Sequence, residues 1–297
     1  MNIKNLIKIF FKDQLITYID VGAADNINQR WKKISNSLDF VGFEPNYDEY
    51  KKIVNLNFAK FKIFNFALGE YNGYKKLNIL KSKFASSFLY PNFKILKDFK
   101  NYKRFKIQKK INIKMRTLDS LNLKKADFIK IDTQGYNLKV LKGSRKTLKK
   151  MIGIEVETEF VKIYENQDLF EDTKKFLEKK NFIFINFLNL RRWSSNEKFV
   201  YGRTIFCNSL FLKKLSNKEL RNKEIVSKYI FICFLYNNLD LAEKILKTSK
   251  LNLEIKKQLI TYIKYQNRKN FFIRLYVSFF NRVNKILKKE NELFPTF

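Results

Sequence analysis

Short apolar runs recur between Ile16 and Leu212, and most of them carry no polar alternation. ITYIDVG (16–22), DFVGFEP (39–45) and FKIFNFALG (61–69) are separated by polar stretches of helical pattern. ADFIKID (126–132), MIGIEVE (151–157), FIFINF (182–187) and RTIFCNSLFL (203–212) follow later. A strand that is apolar at nearly every position must be buried on both faces, and parallel strands joined by covering helices meet that demand. The rhythm therefore predicts an α/β fold, a doubly wound sheet of about seven strands.

Helices are expected at Ile27 to Ser37, Tyr47 to Asn57, TLDSL (117–121), YNLKVLKG (136–143) and Asp168 to Lys180. Residues 73–115 break the rhythm with two β-like runs around the polar aromatic stretch SKFASSFLYPNF, and this insertion could cover a site at the sheet edge. Beyond Leu212, residues 216–290 keep helical periodicity without a credible strand. Three or four helices are expected, with turns at Asn237-Asn238 and from Asn267 to Asn270. The chain thus divides into an α/β domain over 14–212 and a basic helical module over 213–297.

The chain contains no histidine, which removes the Ser-His-Asp triad, imidazole metal sites and the imidazole base. Its 2 cysteines, Cys207 and Cys233, have no motif spacing, so neither a disulfide framework nor a thiolate zinc site is expected. The net charge of +33 invites a polyanion partner. The same charge follows from a bias to Lys, Asn, Ile, Phe and Tyr, residues of A/T-rich codons, and it is spread along the chain instead of clustered. That second account is preferred. Lys8, Lys12 and Asp13 interrupt any signal-peptide core, and no uncharged run approaches a membrane span, so a cytoplasmic protein is expected, with contact at the inner membrane face left open.

Chemistry concentrates at strand ends. In YIDVGAADN, Gly22 permits a tight turn and close approach of a ligand, while Asp20 suits an ammonium or sulfonium better than a pyrophosphate. Glu44 ends the second run, at the distance where an acid accepts two hydrogen bonds from ribose hydroxyls; the alternative is a helix N-terminal acid before Pro45. Asp132 ends the fourth, as a general base or as the cap of the next helix. Glu155 and Glu157 alternate on one strand and share a face; with Asp132 they could hold a metal, but solvated strand-end acids are expected and no metal is predicted. Ser86 and Ser87 in the insertion read as turn residues before acceptor contacts.

YIDVGAADN, FVGFEPN, FNFALGEYNG, SSFLYPN, RTLDSL, DFIKIDTQGYNLKVLKGS and GIEVETEFVKIYENQDLFEDTKKFLEKKNF occur in the order and spacing of the FkbM-type S-adenosylmethionine-dependent methyltransferases. The chain resembles that family over about 14–212. The resemblance implies a class I methyltransferase fold, S-adenosyl-L-methionine as cofactor, and methyl transfer to a hydroxyl of a sugar or other small acceptor. It matches Asp20, Gly22 and Ala23 to the methionine-binding loop, Glu44 to the ribose acid, and Asn65 and Ala67 to the region beside adenine. Asp132 falls where such enzymes place a residue near sulfonium and acceptor. Many relatives continue with Val-Glu-Gly where this chain has Thr133-Gln134-Gly135, and Gln134 cannot act as a base.

O-methylation of a sugar or glycan hydroxyl is therefore the expected function. The alternatives are an RNA-directed methyltransferase and a non-catalytic basic scaffold on membrane or nucleic acid. Against RNA, no Asn/Asp-Pro-Pro-aromatic motif for a flipped base is present. The tail RKNFFIRLYVSFFNRVNKILKK (268–289) sets Phe272, Leu275, Phe279, Val283 and Ile286 at helical spacing within a basic rim. It reads as an interfacial helix on anionic lipid or as a final helix docked on the helical module; docking is preferred, because 216–266 also need apolar cover.

Overall fold

The computed structural model describes residues 14–24, 27–54, 56–196 and 202–287. Seven strands form the main sheet: β1 (Ile16–Val21), β2 (Leu38–Phe43), β3 (Lys60–Phe64), β7 (Phe128–Ile131), β8 (Gly153–Glu159), β9 (Phe182–Trp193) and β10 (Arg203–Lys213). Their order is β3-β2-β1-β7-β8-β10-β9. The first five are parallel, while β10 runs antiparallel to both β8 and β9. This is the α/β, Rossmann-like class anticipated from the apolar runs. All six residues of β1 are buried. The chain leaves β1 for β2 on one side and returns to β7 on the other, so a crevice opens at the carboxyl ends of β1 and β7, the usual ligand position in such sheets.

The insertion builds a second sheet, β4-β6-β5, from β4 (Ala67–Leu68), β5 (Gly73–Leu80) and β6 (Ile107–Arg116). Between β5 and β6 lie the short helix α3 (Phe93–Leu96) and two 3-10 turns. The helices after β1 and β2 are shorter than their sequence pattern: α1 covers Gln29–Lys32 and α2 covers Tyr47–Tyr50. Past Tyr50 the sequence KKIVNLN is β-branched and Asn-rich, poor helix formers, and Asn57 adopts φ 62°. TLDSL forms a 3-10 turn capped by Thr117.

One face of the sheet is covered by α4 (Asn137–Lys142) and α5 (Phe170–Glu178), which pack on Ile19, Val21, Ile129 and Ile154. The other face carries Tyr18, Phe40 and Phe128, against which Trp31 of α1 packs with ring centroids 4.7 Å from both Tyr18 and Phe128. Four C-terminal helices follow: α6 (Asn217–Leu220), α7 (Lys223–Leu235), α8 (Leu239–Thr248) and α9 (Leu253–Leu287). Tyr229, Ile230, Leu246, Leu259 and Ile263 join the same core as Tyr18 and Phe128, each large apolar side chain contributing roughly 1.5–3 kcal/mol by leaving water. A buried ion pair fixes α7 to the sheet: Lys228 Nζ donates to Asp127 Oδ2 at 2.8 Å, and the same oxygen accepts from the Thr17 amide.

The turn at Asn237-Asn238 is present, but Asn267 to Asn270 lie inside α9. Asparagine costs only a few tenths of a kcal/mol in a helix, and no Gly or Pro accompanies these two. Docking of the tail is not met at its first apolar positions: Phe272 is 67% exposed and Leu275 50% exposed. The side chains of Phe279, Val283 and Ile286 lie outside the described residues. No helix among the described residues is long and apolar enough to cross a membrane.

Candidate functional site

At the end of β1, Gly22 adopts φ +82°, and a Cβ there would lie 2.0 Å from the Asp132 carbonyl oxygen at the end of β7. Only glycine allows the two strand ends to approach this closely. The amides of Gly22 and Ala23 both donate to the Phe43 carbonyl, at 3.0 and 3.2 Å, which pins the loop to β2. Ala23 is buried behind the loop, and Ala24 lines the crevice instead. Asp25 and Asn26 lie outside the described residues. Asp20 sits beneath, buried in β1, with Oδ1 3.6 Å from Lys130 Nζ. Burial pushes its pKa up to about 6, against the pull of Lys130.

Glu44, just past β2, faces the crevice and is only 5% exposed. Its Oε1 accepts the Asn46 amide at 2.8 Å, so part of the helix-entry role also belongs to it. Burial raises its pKa to about 7, with the Asn46 and Ala24 amides pulling back. Asn65 takes a different post from the one its position suggested. It is exposed and absent from the crevice wall; its Nδ2 donates to the carbonyls of Glu44 at 2.9 Å and Pro45 at 3.2 Å. It therefore holds the Glu44 turn, while Ala67 and Leu68 do line the crevice.

Across the crevice, Asp132, Gln134 and Glu157 form one unit. Gln134, at φ 49°, donates through Nε2 to Asp132 Oδ1 at 2.8 Å and to Glu157 Oε1 at 3.1 Å. An amide offers two N–H groups, so one Gln can bridge two carboxylates where a Glu would add a third negative charge. Asp132 caps no helix: α4 starts after Tyr136, and Asn137 Oδ1 accepts the Thr133 amide. Lys130 Nζ, 4.0 Å from Asp132 Oδ2, links the unit to Asp20. Lys130 was legible as the lone cation in FIKID, two residues before Asp132 and so on the same face.

Glu155 and Glu157 are buried, not solvated. Glu155 points to the helices: its oxygens accept Asn208 Nδ2 at 2.9 Å and the Tyr236 hydroxyl at 2.6 Å, which in turn accepts Trp31 Nε1 at 3.0 Å. Burial, then the charge of Asp132, holds the Glu157 carboxyl well above the usual carboxylate range. Among the described residues no three acids or cysteines lie together as metal ligands. Ser86 and Ser87 serve the backbone: Ser86 Oγ accepts the Leu80 amide, and Ser87 Oγ donates to the Gln134 carbonyl at 2.6 Å. Ser87 thus couples the insertion to the bridging glutamine.

These residues enclose a cavity of about 470 Å³. Gly22, Ala24, Glu44 and Ala67 form one part of its wall, and Lys130, Asp132, Gln134 and Glu157 another. Phe105 and Arg104 of the insertion and Arg191, Trp193 and Phe206 of the β9–β10 hairpin complete it. No periodicity in the sequence marks these last five.

The family model for the methyltransferase FkbM domain matches residues 20–184. Among solved structures, methyltransferase FkbM from Methylobacillus flagellatus KT aligns at 13% identity and a TM-score of 0.38, covering 67% of this chain. The chain spans 43% of that protein's length. TrmK of M. capricolum, solved with the cofactor product S-adenosyl-homocysteine, aligns at 10% identity and a TM-score of 0.32, over 90% of this chain and 95% of its own. An uncharacterised protein from Listeria monocytogenes serotype 4b aligns at 7% identity and a TM-score of 0.33, over 89% of this chain and 94% of its own. No curated protein matches the chain.

Proposed function

Because the chain belongs to the FkbM methyltransferase family, we propose that it transfers a methyl group from S-adenosylmethionine to a hydroxyl of a sugar or glycan. The observation that carries this reading is the bridged pair Asp132–Gln134–Glu157 facing the same cavity as Glu44 and Gly22. The acids fit a cationic donor. Glu44 already accepts backbone amides, yet a carboxylate has about four acceptor sites, enough for two ribose hydroxyls as well. Gly22 and Ala24 would hold the methionine portion, with Asp20 below acting through Lys130, and Ala67 and Leu68 would flank the adenine.

When bound, the donor supplies an already activated methyl group on a sulfonium. The residues must then place the acceptor oxygen in line and take its proton as the O–CH3 bond forms and the S–CH3 bond breaks, its electron pair staying on sulfur. Asp132 is suited to that task. Its side chain is 22% exposed, so the proton can pass on to solvent, and Gln134 fixes its orientation. Glu157 sits deeper, and burial and then the charge of Asp132 hold its carboxyl well above the usual carboxylate range. Lys130, close to Asp132 and Asp20, balances that charge. With histidine absent, no imidazole can take the proton, and Asp132 is the candidate base. Release of S-adenosylhomocysteine, measured against a panel of sugars, glycolipids and RNA, is the test. Turnover with a sugar or glycolipid is expected; turnover confined to RNA, or absent with every acceptor, overturns the reading.

A further inference from the structure

The acids of the cavity answer a cationic donor, but its remaining wall has the opposite character. Arg104, from the insertion, lies with its guanidinium carbon 4.6 Å from the centroid of Trp193 and 5.1 Å from that of Phe105. Its Nε is buried and finds no hydrogen-bond partner among the described residues. No carboxylate among the described residues forms an ion pair with it, and burial pulls its pKa below the usual arginine value. Arg191 of β9 lines the same cavity.

A second cavity, about 270 Å³, adjoins the first across Arg104, Phe105 and Trp193, and Lys100 and Arg192 contribute to its wall. A guanidinium fixed on an aromatic bed, with a buried unsatisfied N–H, is preorganised for an oxyanion: the side-chain entropy is already spent, and the missing partner is an acceptor. Leaving such a donor empty costs free energy that an anionic ligand would restore.

We propose that the methyl acceptor is an anionic sugar, whose carboxylate or phosphate group is bound by Arg104 while its hydroxyl faces Asp132. This rests on the sugar O-methylation reading above and specifies its substrate class. Bonds to a charged group of this kind correspond to a gain of roughly tenfold or more in affinity.

The experiment compares glucose, glucuronate and glucose 6-phosphate with the full-length protein, both as methyl acceptors and as ligands in calorimetry with S-adenosylhomocysteine present. The expected result is a kcat/KM for at least one anionic sugar roughly tenfold or more above that for glucose. Comparing glucuronate with the phosphate shows which oxyanion is used. In Arg104→Gln the ratio of anionic to neutral kcat/KM should collapse through KM, and Arg104→Lys should restore part of it. Equal use of glucose and both anions by the wild-type protein overturns the proposal, as does a preference that survives in Arg104→Gln. Wild-type calorimetry keeps the question open to refutation if the variant fails to fold: no tighter binding of either anion than of glucose overturns the proposal on its own. Arg104-dependent anion binding without methylation of any sugar would instead overturn the methylation reading and leave the anion site standing.

Discussion

Replacing Glu44 by glutamine should weaken binding of S-adenosylmethionine and, more tellingly, remove its pH dependence. The residue is 5% exposed, and burial raises the carboxyl pKa to about 7. Only its ionised form offers full acceptor strength to two ribose hydroxyls. At pH 6 about one-tenth of the ligand-free protein carries that form, and at pH 8 about nine-tenths, so wild-type affinity should rise about tenfold over this interval, ~1.4 kcal/mol. Glutamine keeps the volume and can still accept the Asn46 amide, but it loses the charge and one acceptor oxygen. The loss at pH 8 is one charge-assisted bond, about 1.5–3 kcal/mol, or roughly 10- to 150-fold in Kd. Isothermal titration from pH 6 to 8 reads both effects; slope that survives in the variant belongs to Asp20, which titrates at about 6. The linkage has a stability side. Glu44 is raised above its unfolded value, so its contribution to the ligand-free fold is full below that value and is lost as pH rises through about 7. Glu44→Gln should therefore melt with less pH dependence than the wild type. Equal, pH-independent affinities in the two proteins would refute the ribose role.

Asp132→Asn should retain cofactor binding and lower methyl transfer by roughly 10²-fold or more, as loss of a general base does; near-normal turnover would remove the base assignment. Gln134→Glu replaces the bridging amide with a third carboxylate beside Asp132 and Glu157, so the pH–rate profile should move to higher pH by about one unit or more. An unmoved profile would mean that the bridge does not touch the titrating group. Truncation after Asn267 removes the exposed Phe271, Phe272 and Leu275 yet keeps Ile263, which is buried in the core. The shortened protein should stay folded by circular dichroism and lose flotation with anionic vesicles; if full-length protein ignores such vesicles, peripheral membrane contact is wrong.

The positions of the candidate site were legible because of where polarity can occur in this architecture. A parallel strand buried on both faces excludes polar residues along its length and admits them mainly where it ends. Asp20, Gly22, Glu44 and Asp132 therefore stood out against ITYIDVG, DFVGFEP and ADFIKID; Gly22, Glu44 and Asp132 line the crevice beside β1 and β7, and Asp20 is buried beneath them. Element types followed from the same periodicities. Helix lengths did not, because α1 and α2 are single turns whose extent is set by packing and by residues such as Asn57 in the left-handed region.

The amino-acid sequence alone determined the kind of sheet, the ends at which chemistry could sit, and the lack of imidazole chemistry. Side-chain direction was decided only by tertiary structure. Period-two alternation says that Glu155 and Glu157 share a face, but only packing sends one to Tyr236, 81 residues away, and the other to Gln134. Asn65 looked like a ligand contact until its amide was seen clasping the turn after β2. Arg104 carried no signal at all, since its meaning comes from Trp193 and from a cavity assembled by segments far apart in the chain. Local pattern fixes which residues can leave water; which partners they then meet depends on long-range closure.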